Sequence, residues 1–209
     1  MRIKICGITQ ISQAQKIAQL GATALGFICV TQSPRYVKPS KLKKIVANLP
    51  PEVDKIGVFA NSPLAEIAQL AQTTDLTGIQ LHGNESREFC QQLRQKLTPS
   101  IEIIKAFRIH TPESLLLTEA YFPVVDTLLL DAYHPHLLGG TGKTIDWQIL
   151  RRFNPPLPWI LAGGLNPDNV RRALIAISPD GIDLSSGVER SPGDKNLSLV
   201  SKLFNNLAS

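Results

Sequence analysis

Eight short apolar or β-branched runs recur along this chain at roughly even spacing, each followed by a glycine or polar turn and then by helix-like sequence. The runs cover 3–6, 24–28, 55–59, 78–81, 101–106, 124–130, 159–162 and 181–184. Strand-length runs alternating with helical stretches specify parallel βαβ units, because a parallel neighbour needs a crossover connection. Helix starts are marked chemically. Asn61-Ser62-Pro63 precedes Leu64, Ile67, Ala68 and Ala71 at helical spacing, and Asn166-Pro167-Asp168-Asn169 precedes Val170, Ala173, Leu174 and Ile177. A proline there has a φ already suited to the first turn. Helical spacing also covers 85–97 and 195–207. A doubly wound open sheet competes, but eight even repeats favour a closed (β/α)8 TIM barrel. With 209 residues, no linker and no change of composition, the expectation is one single-domain barrel over 1–209.

Composition narrows the function classes. The chain is 43% hydrophobic with mean hydropathy +0.02, and no apolar run approaches the roughly 18 residues that span a bilayer. No signal-peptide pattern opens it, so the expected compartment is the cytoplasm, with no membrane partner. Cys6, Cys29 and Cys90 are odd in number and form no CxxC, which argues against a disulfide framework or a zinc site. The net charge of +5 comes from scattered residues. Its one cluster, Lys38, Lys41, Lys43 and Lys44, falls at a helix start and reads as a solvated face. Basic residues do not interleave with aromatics as they do on nucleic-acid surfaces, so no nucleic-acid partner is expected. Attraction of a small anionic substrate accounts for the balance.

Parallel strands bring their C-terminal ends to one mouth, where barrel chemistry sits. Those ends carry Cys6-Gly7, 31–36, Ala60-Asn61, His82-Gly83, Phe107-Arg108, Asp131, Gly163-Gly164 and Ser185-Ser186-Gly187. One thiol and one carboxylate at two strand ends suit proton transfer. Gly163 and Gly164 after the seventh strand, with Ser185, Ser186 and Gly187 after the eighth, match the place where such barrels bind phosphate. Glycines let backbone N–H groups approach an anion, although they also serve plain tight turns. Strand alternation turns Lys4 inward with Cys6, and a buried ammonium needs a partner. Asp183, with the parity of Ser185 in the adjacent eighth strand, is the expected one.

At these positions the chain resembles the phosphoribosylanthranilate isomerases. The similar segments are KICGIT at 4–9, GF at 26–27 followed by SPRYV at 33–37, IGVFAN at 56–61 and IQLHG at 79–83. They continue with LLLDA at 128–132, GGTGKTIDW at 139–147, LAGGLNPDNV at 161–170 and DLSSGVERSPGDKN at 183–196. Ile145, Leu184 and Asn196 depart from the family's usual Phe, Val and Asp. The resemblance implies an Amadori rearrangement of N-(5-phospho-β-D-ribosyl)anthranilate to 1-(2-carboxyphenylamino)-1-deoxy-D-ribulose 5-phosphate, in tryptophan biosynthesis, with no cofactor or metal. It makes Asp131 the general acid, which requires a raised pKa, and Cys6 the general base, helped by a nearby positive charge such as Lys4. Taken alone, Cys6 would more often be an inert core residue, but its place at a strand end before Gly-Ile-Thr reverses that reading. Arg35 would bind the anthranilate carboxylate, and His82 either touches substrate or bonds the neighbouring loop. Asp126, at the far end of its strand, is expected to be structural. His134 and His136 lack a third ligand at recognisable spacing, and the stretch 132–144 around them, with its glycines at 139–142, reads as a lid. A different phosphosugar barrel, a metal-dependent hydrolase and a non-catalytic phosphosugar binder are the rivals, and Cys6 with Asp131 discriminates against the related barrels. Monomer and homodimer both remain open.

Overall fold

The structure of the chain, a computed structural model, describes residues 1–132 and 146–208. Eight parallel strands close into a barrel in chain order: β1 (Arg2–Cys6), β2 (Ala24–Ile28), β3 (Asp54–Phe59), β4 (Gly78–Leu81), β5 (Glu102–Ile109), β6 (Thr127–Ala132), β7 (Trp159–Leu161) and β8 (Gly181–Leu184), with β8 pairing back onto β1. Helices α1 (Ile11–Gln19), α2 (Pro39–Val46), α3 (Leu64–Thr74) and α4 (Arg87–Lys96) follow the first four strands. After β5 comes the short α5 (Pro112–Leu116) and a 3-10 turn, and a 3-10 turn at Trp147–Leu150 precedes β7. The helix α6 (Val170–Ala176) separates β7 from β8. A two-stranded antiparallel hairpin, β9 (Glu189–Ser191) and β10 (Asp194–Lys195), then leads into α7 (Leu197–Ala208).

The expected barrel is present, with shifted boundaries. The fifth strand extends beyond Ala106 to Ile109. The sixth begins at Thr127 because the amides of Val124 and Val125 both bond back to the Tyr121 carbonyl, closing a turn. The last helix starts at Leu197, and Lys195 belongs to the hairpin. The Lys38–Lys44 cluster lies exposed on α2 and the turn before it, as a solvated face.

Side-chain alternation divides the interior in two. Ile5, Leu25, Phe27, Ile79, Leu128, Leu130 and Ile182 face outward into the larger core beneath the helices. The barrel lumen holds a smaller apolar cluster of Ala24, Ile56, Ile104, Ala106, Leu129, Ile160 and Ala162. Charge fills the rest. At the N-terminal floor Arg2 bridges Asp54 (2.8 Å) and Glu102 (2.7 Å), and the Thr127 hydroxyl donates to Glu102 (2.6 Å). Asp126 also stays at that end, accepting from the Ile103 amide (2.7 Å) and from Arg94, which fits a structural role.

Candidate active site

The C-terminal ends of the strands surround a cavity of ≈ 140 Å³. Cys6, Arg35, His82, Asp131, Gly163, Gly164, Ser185 and Ser186 all line it. Gly187 does not: a Cβ there would lie 2.0 Å from the Leu165 carbonyl oxygen. Its bare backbone lets the loop after β8 pack on the loop after β7. Gly163 and Gly164 adopt φ of +87° and +63°, conformations that glycine tolerates and L side chains rarely adopt. The loop after β8 makes only a single 3-10 turn, Ser186–Val188.

Cys6 ends β1, and Gly7, at φ +80°, turns the chain away from the mouth. Lys4, one inward position deeper, is fully buried, and its Nζ lies 3.0 Å from Asp183 Oδ1 across the β1–β8 seam. Their registered pairing delivers the contact the parity required. Burial works to lower the Lys4 pKa, but Asp183 and Cys6 outweigh it, leaving it raised. Room for these groups comes from Gly26 on β2. A Cβ there would sit 2.6 Å from Cys6 Sγ and 3.0 Å from Lys4 Nζ. The thiol itself does not sit near its ordinary value. Burial pushes it up, Lys4 and Lys195 pull it back, and Asp183 adds to the rise.

Arg35 reaches the mouth from the loop after β2 with its fork occupied. Its Nε lies 3.0 Å and 3.1 Å from the two Glu189 carboxylate oxygens, and its Nη2 donates to Oε2 at 2.7 Å. Glu189 Oε1 also takes the Lys195 ammonium at 2.7 Å and the Gly193 amide at 3.1 Å. Lys195 is fully buried and donates further to the Ser185 carbonyl (3.2 Å). Burial lowers its pKa against the pull of Glu189 and Cys6. Neither Glu189 nor Lys195 emerged as a site residue from the sequence, although both lie in the segment 183–196. Parity could not reveal them, since they stand on strands of three and two residues.

On the opposite wall, Gln80 Nε2 lies 2.9 Å from His82 Nδ1. An amide nitrogen only donates, so Nδ1 accepts and a neutral ring carries its proton on Nε2, 3.3 Å from Asp131 Oδ2. That contact is close but not aligned as a hydrogen bond. A buried ion pair braces this wall from outside the barrel. Lys105 Nζ meets Glu85 Oε2 at 2.9 Å, and Glu85 Oε1 accepts from the Asn61 amide at 2.7 Å, where Asn61 holds φ +55°. Cys29 and Cys90 are pushed up by burial to about 12 and about 11.

Among the described residues no group of three or more His, Cys, Asp or Glu side chains is placed to hold a metal, and no helix is long and apolar enough to cross a membrane. His134, His136 and the glycines of 139–142 lie outside the described residues.

Fold and mouth together define a (β/α)8 barrel whose polar groups converge at the C-terminal ends of its strands, the place where such barrels carry their chemistry. The model of the N-(5'-phosphoribosyl)anthranilate (PRA) isomerase family matches residues 3–206, and the chain belongs to that family. It is 62% identical over 209 residues to the N-(5'-phosphoribosyl)anthranilate isomerase of Nostoc punctiforme, covering 100% of this chain and 99% of that one. Against the same enzyme of Rippkaea orientalis it is 61% identical over 207 residues, 99% and 96% of the two chains. The crystal structure of phosphoribosyl anthranilate isomerase from Thermotoga maritima superposes with TM-score 0.91 at 34% identity, covering 100% of this chain and 98% of that one. A crystal structure of a phosphoribosyl anthranilate isomerase in complex with reduced 1-(o-carboxyphenylamino)-1-deoxyribulose 5-phosphate superposes with TM-score 0.87 at 32% identity, over 100% of this chain and 98% of that one.

Proposed function

We propose that this protein catalyses the Amadori rearrangement of N-(5-phospho-β-D-ribosyl)anthranilate to 1-(2-carboxyphenylamino)-1-deoxy-D-ribulose 5-phosphate, in tryptophan biosynthesis, by general acid/base catalysis. The observation that carries the mechanism is that Cys6 and Asp131, from opposite parts of the chain, line one cavity with the glycine and serine loops after β7 and β8. Asp131 gives its proton to the furanose ring oxygen, and the C1–O bond breaks to leave an iminium between C1 and the anthranilate nitrogen. Cys6, as thiolate, takes the proton from C2, and the electron pair flows to the iminium to give an enolamine. Ketonisation follows, with a proton gained at C1 and one lost from the C2 hydroxyl, so the sum is an isomerisation.

Gly163, Gly164, Ser185 and Ser186 hold the phosphate through backbone N–H groups and hydroxyls, while Gly187 keeps the two loops together. Arg35 binds the anthranilate carboxylate by exchanging the Glu189 carboxylate, a group of the same geometry, for that of the substrate. His82 orients Asp131. The reading needs no metal or cofactor and places a single barrel in the cytoplasm, as monomer or homodimer, acting on a small phosphosugar.

The test is the loss of substrate fluorescence with substrate generated in situ. Cys6→Ala and Asp131→Asn are each expected to lower kcat by about 10²–10⁴-fold, the usual contribution of a general acid or base. Near-normal turnover in both variants would overturn the mechanism.

A further inference from the structure

We propose that Lys4 and Lys195 are positioning residues for Cys6, stabilising its thiolate against burial through a set of enclosed charges that balances only when the thiol has lost its proton. The inference rests on the reading of Cys6 as the base.

The charges come from five elements of the fold. Lys4 on β1 lies 3.0 Å from Asp183 on β8, and its ammonium and the Cys6 sulfur crowd the same point above Gly26. Lys195 on β10 and Arg35 from the loop after β2 share the single carboxylate of Glu189 on β9. Among the described residues, Lys4, Lys195, Arg35, Asp183 and Cys29 are the groups that act on Cys6 electrostatically or are acted on by it. Cys29 stays protonated, since burial raises it to about 12. Asp131 lines the same cavity from β6, 3.3 Å from His82 Nε2, and is not among the groups that act on Cys6. Three cations therefore face two carboxylates, and the missing negative charge is the thiolate. A surplus charge in a buried cluster is costly, so the cluster favours the deprotonated sulfur that burial alone disfavours. Lys195 is aimed by its frame: Gln13 on α1 accepts from its backbone amide (3.0 Å) and donates to its carbonyl (3.2 Å), while Thr9 fastens the hairpin turn through the Gly193 carbonyl (2.6 Å).

The experiment is the rate of iodoacetamide alkylation at Cys6, followed by peptide mapping from pH 6 to 10 on folded protein without substrate, with Cys90 as internal control. An opposite charge at this range moves a pKa by about one to three units. Lys195→Met is expected to raise the apparent Cys6 pKa by about one unit and slow alkylation at pH 7 about tenfold, with Lys195→Arg restoring it. Asp183→Asn is expected to lower the apparent pKa, since it removes a negative charge and frees Lys4 for the sulfur. Lys4→Met alone would leave Asp183 buried without its partner, so Lys4→Met/Asp183→Asn is the variant to use. Its apparent pKa should lie above that of Asp183→Asn. In turnover, Lys195→Met should lower kcat far more than it raises KM. A purely structural role would lower stability and leave the alkylation profile of the folded protein in place. Profiles that coincide with wild type in Lys195→Met and Lys4→Met/Asp183→Asn would overturn the proposal while leaving Cys6 as the base. Undiminished turnover in Cys6→Ala would instead remove the reading beneath it.

Discussion

Gly26 shows how much of the mouth depends on a side chain that is missing. It faces the lumen on β2, opposite Cys6 in the parallel register, and occupies the place where a methyl group would strike both the thiol and the Lys4 ammonium. A displacement of 1 Å at a reacting group costs on the order of 10²-fold in rate. Gly26→Ala is therefore expected to reduce kcat by about that factor, with an overpacking cost of about 1–3 kcal/mol in unfolding free energy. Steady-state kinetics alongside urea unfolding would check both, and a variant that stays fully active would mean the thiol can move freely. Single residues were legible in the sequence where parity and strand ends constrain them. The Lys4–Asp183 contact followed from alternation, and Cys6 and Asp131 stood out by their places at strand ends, with their roles implied by the family resemblance. Gly26 was not legible in that way, because a glycine in a strand reads equally as a bulge or a close approach until its neighbours are known.

At the level of elements, the seven residues from Glu189 to Lys195 act as a clasp. Glu189 receives Arg35 and Lys195, and Thr9 and Gln13 hold the turn and the second strand. Burial works to raise the Glu189 pKa, but the Arg35 fork and Lys195 outweigh it and hold it below the usual carboxylate value of 4.5. A carboxylate whose folded pKa is depressed stabilises the fold above its unfolded pKa, and loses that contribution as pH falls through the folded value. The stability of the wild type should therefore be insensitive to this group above about pH 5 and fall on acidification below 4.5. Glu189→Gln is expected to show a weaker acid-induced loss when unfolding free energies are measured between pH 6 and pH 3. Equal slopes for the two proteins would place the clasp's strength elsewhere. The eight barrel strands were readable because each offers several residues of apolar or β-branched pattern. The clasp strands are too short for any period, and its Pro192-Gly193 turn leads directly into helix-like sequence, so Lys195 read as helix. The Arg35 fork joins residues 154 positions apart, a pairing that no local pattern encodes.

Across the whole molecule the lumen is stacked in charged and apolar layers. The floor is Arg2 with Asp54 and Glu102, the middle is the small apolar cluster beside Lys4 and Asp183, and the top is the mouth. A barrel of this architecture separates stability at its N-terminal face from chemistry at its C-terminal face. Arg2 tests that separation. Its side chain is 20% exposed and joins β1 to β3 and β5 across the floor, so Arg2→Met would leave Glu102, itself 21% exposed, without its charged partner. The Thr127 hydroxyl still donates to that carboxylate, and the loss of a hydrogen bond to a charged group costs about 1.5–3 kcal/mol. Urea unfolding should show a loss of that size, while kcat and KM at a temperature where the variant remains folded should match wild type. The apolar layer of Ile56, Ile104, Leu129 and Ile160 lies between floor and mouth and keeps its own packing in this variant, so the lost polar contact is expected to stay at the N-terminal face. A fall in kcat in fully folded Arg2→Met would show instead that the floor sets the position of β1, and with it the two inward residues above Arg2 on the same strand, Lys4 and Cys6.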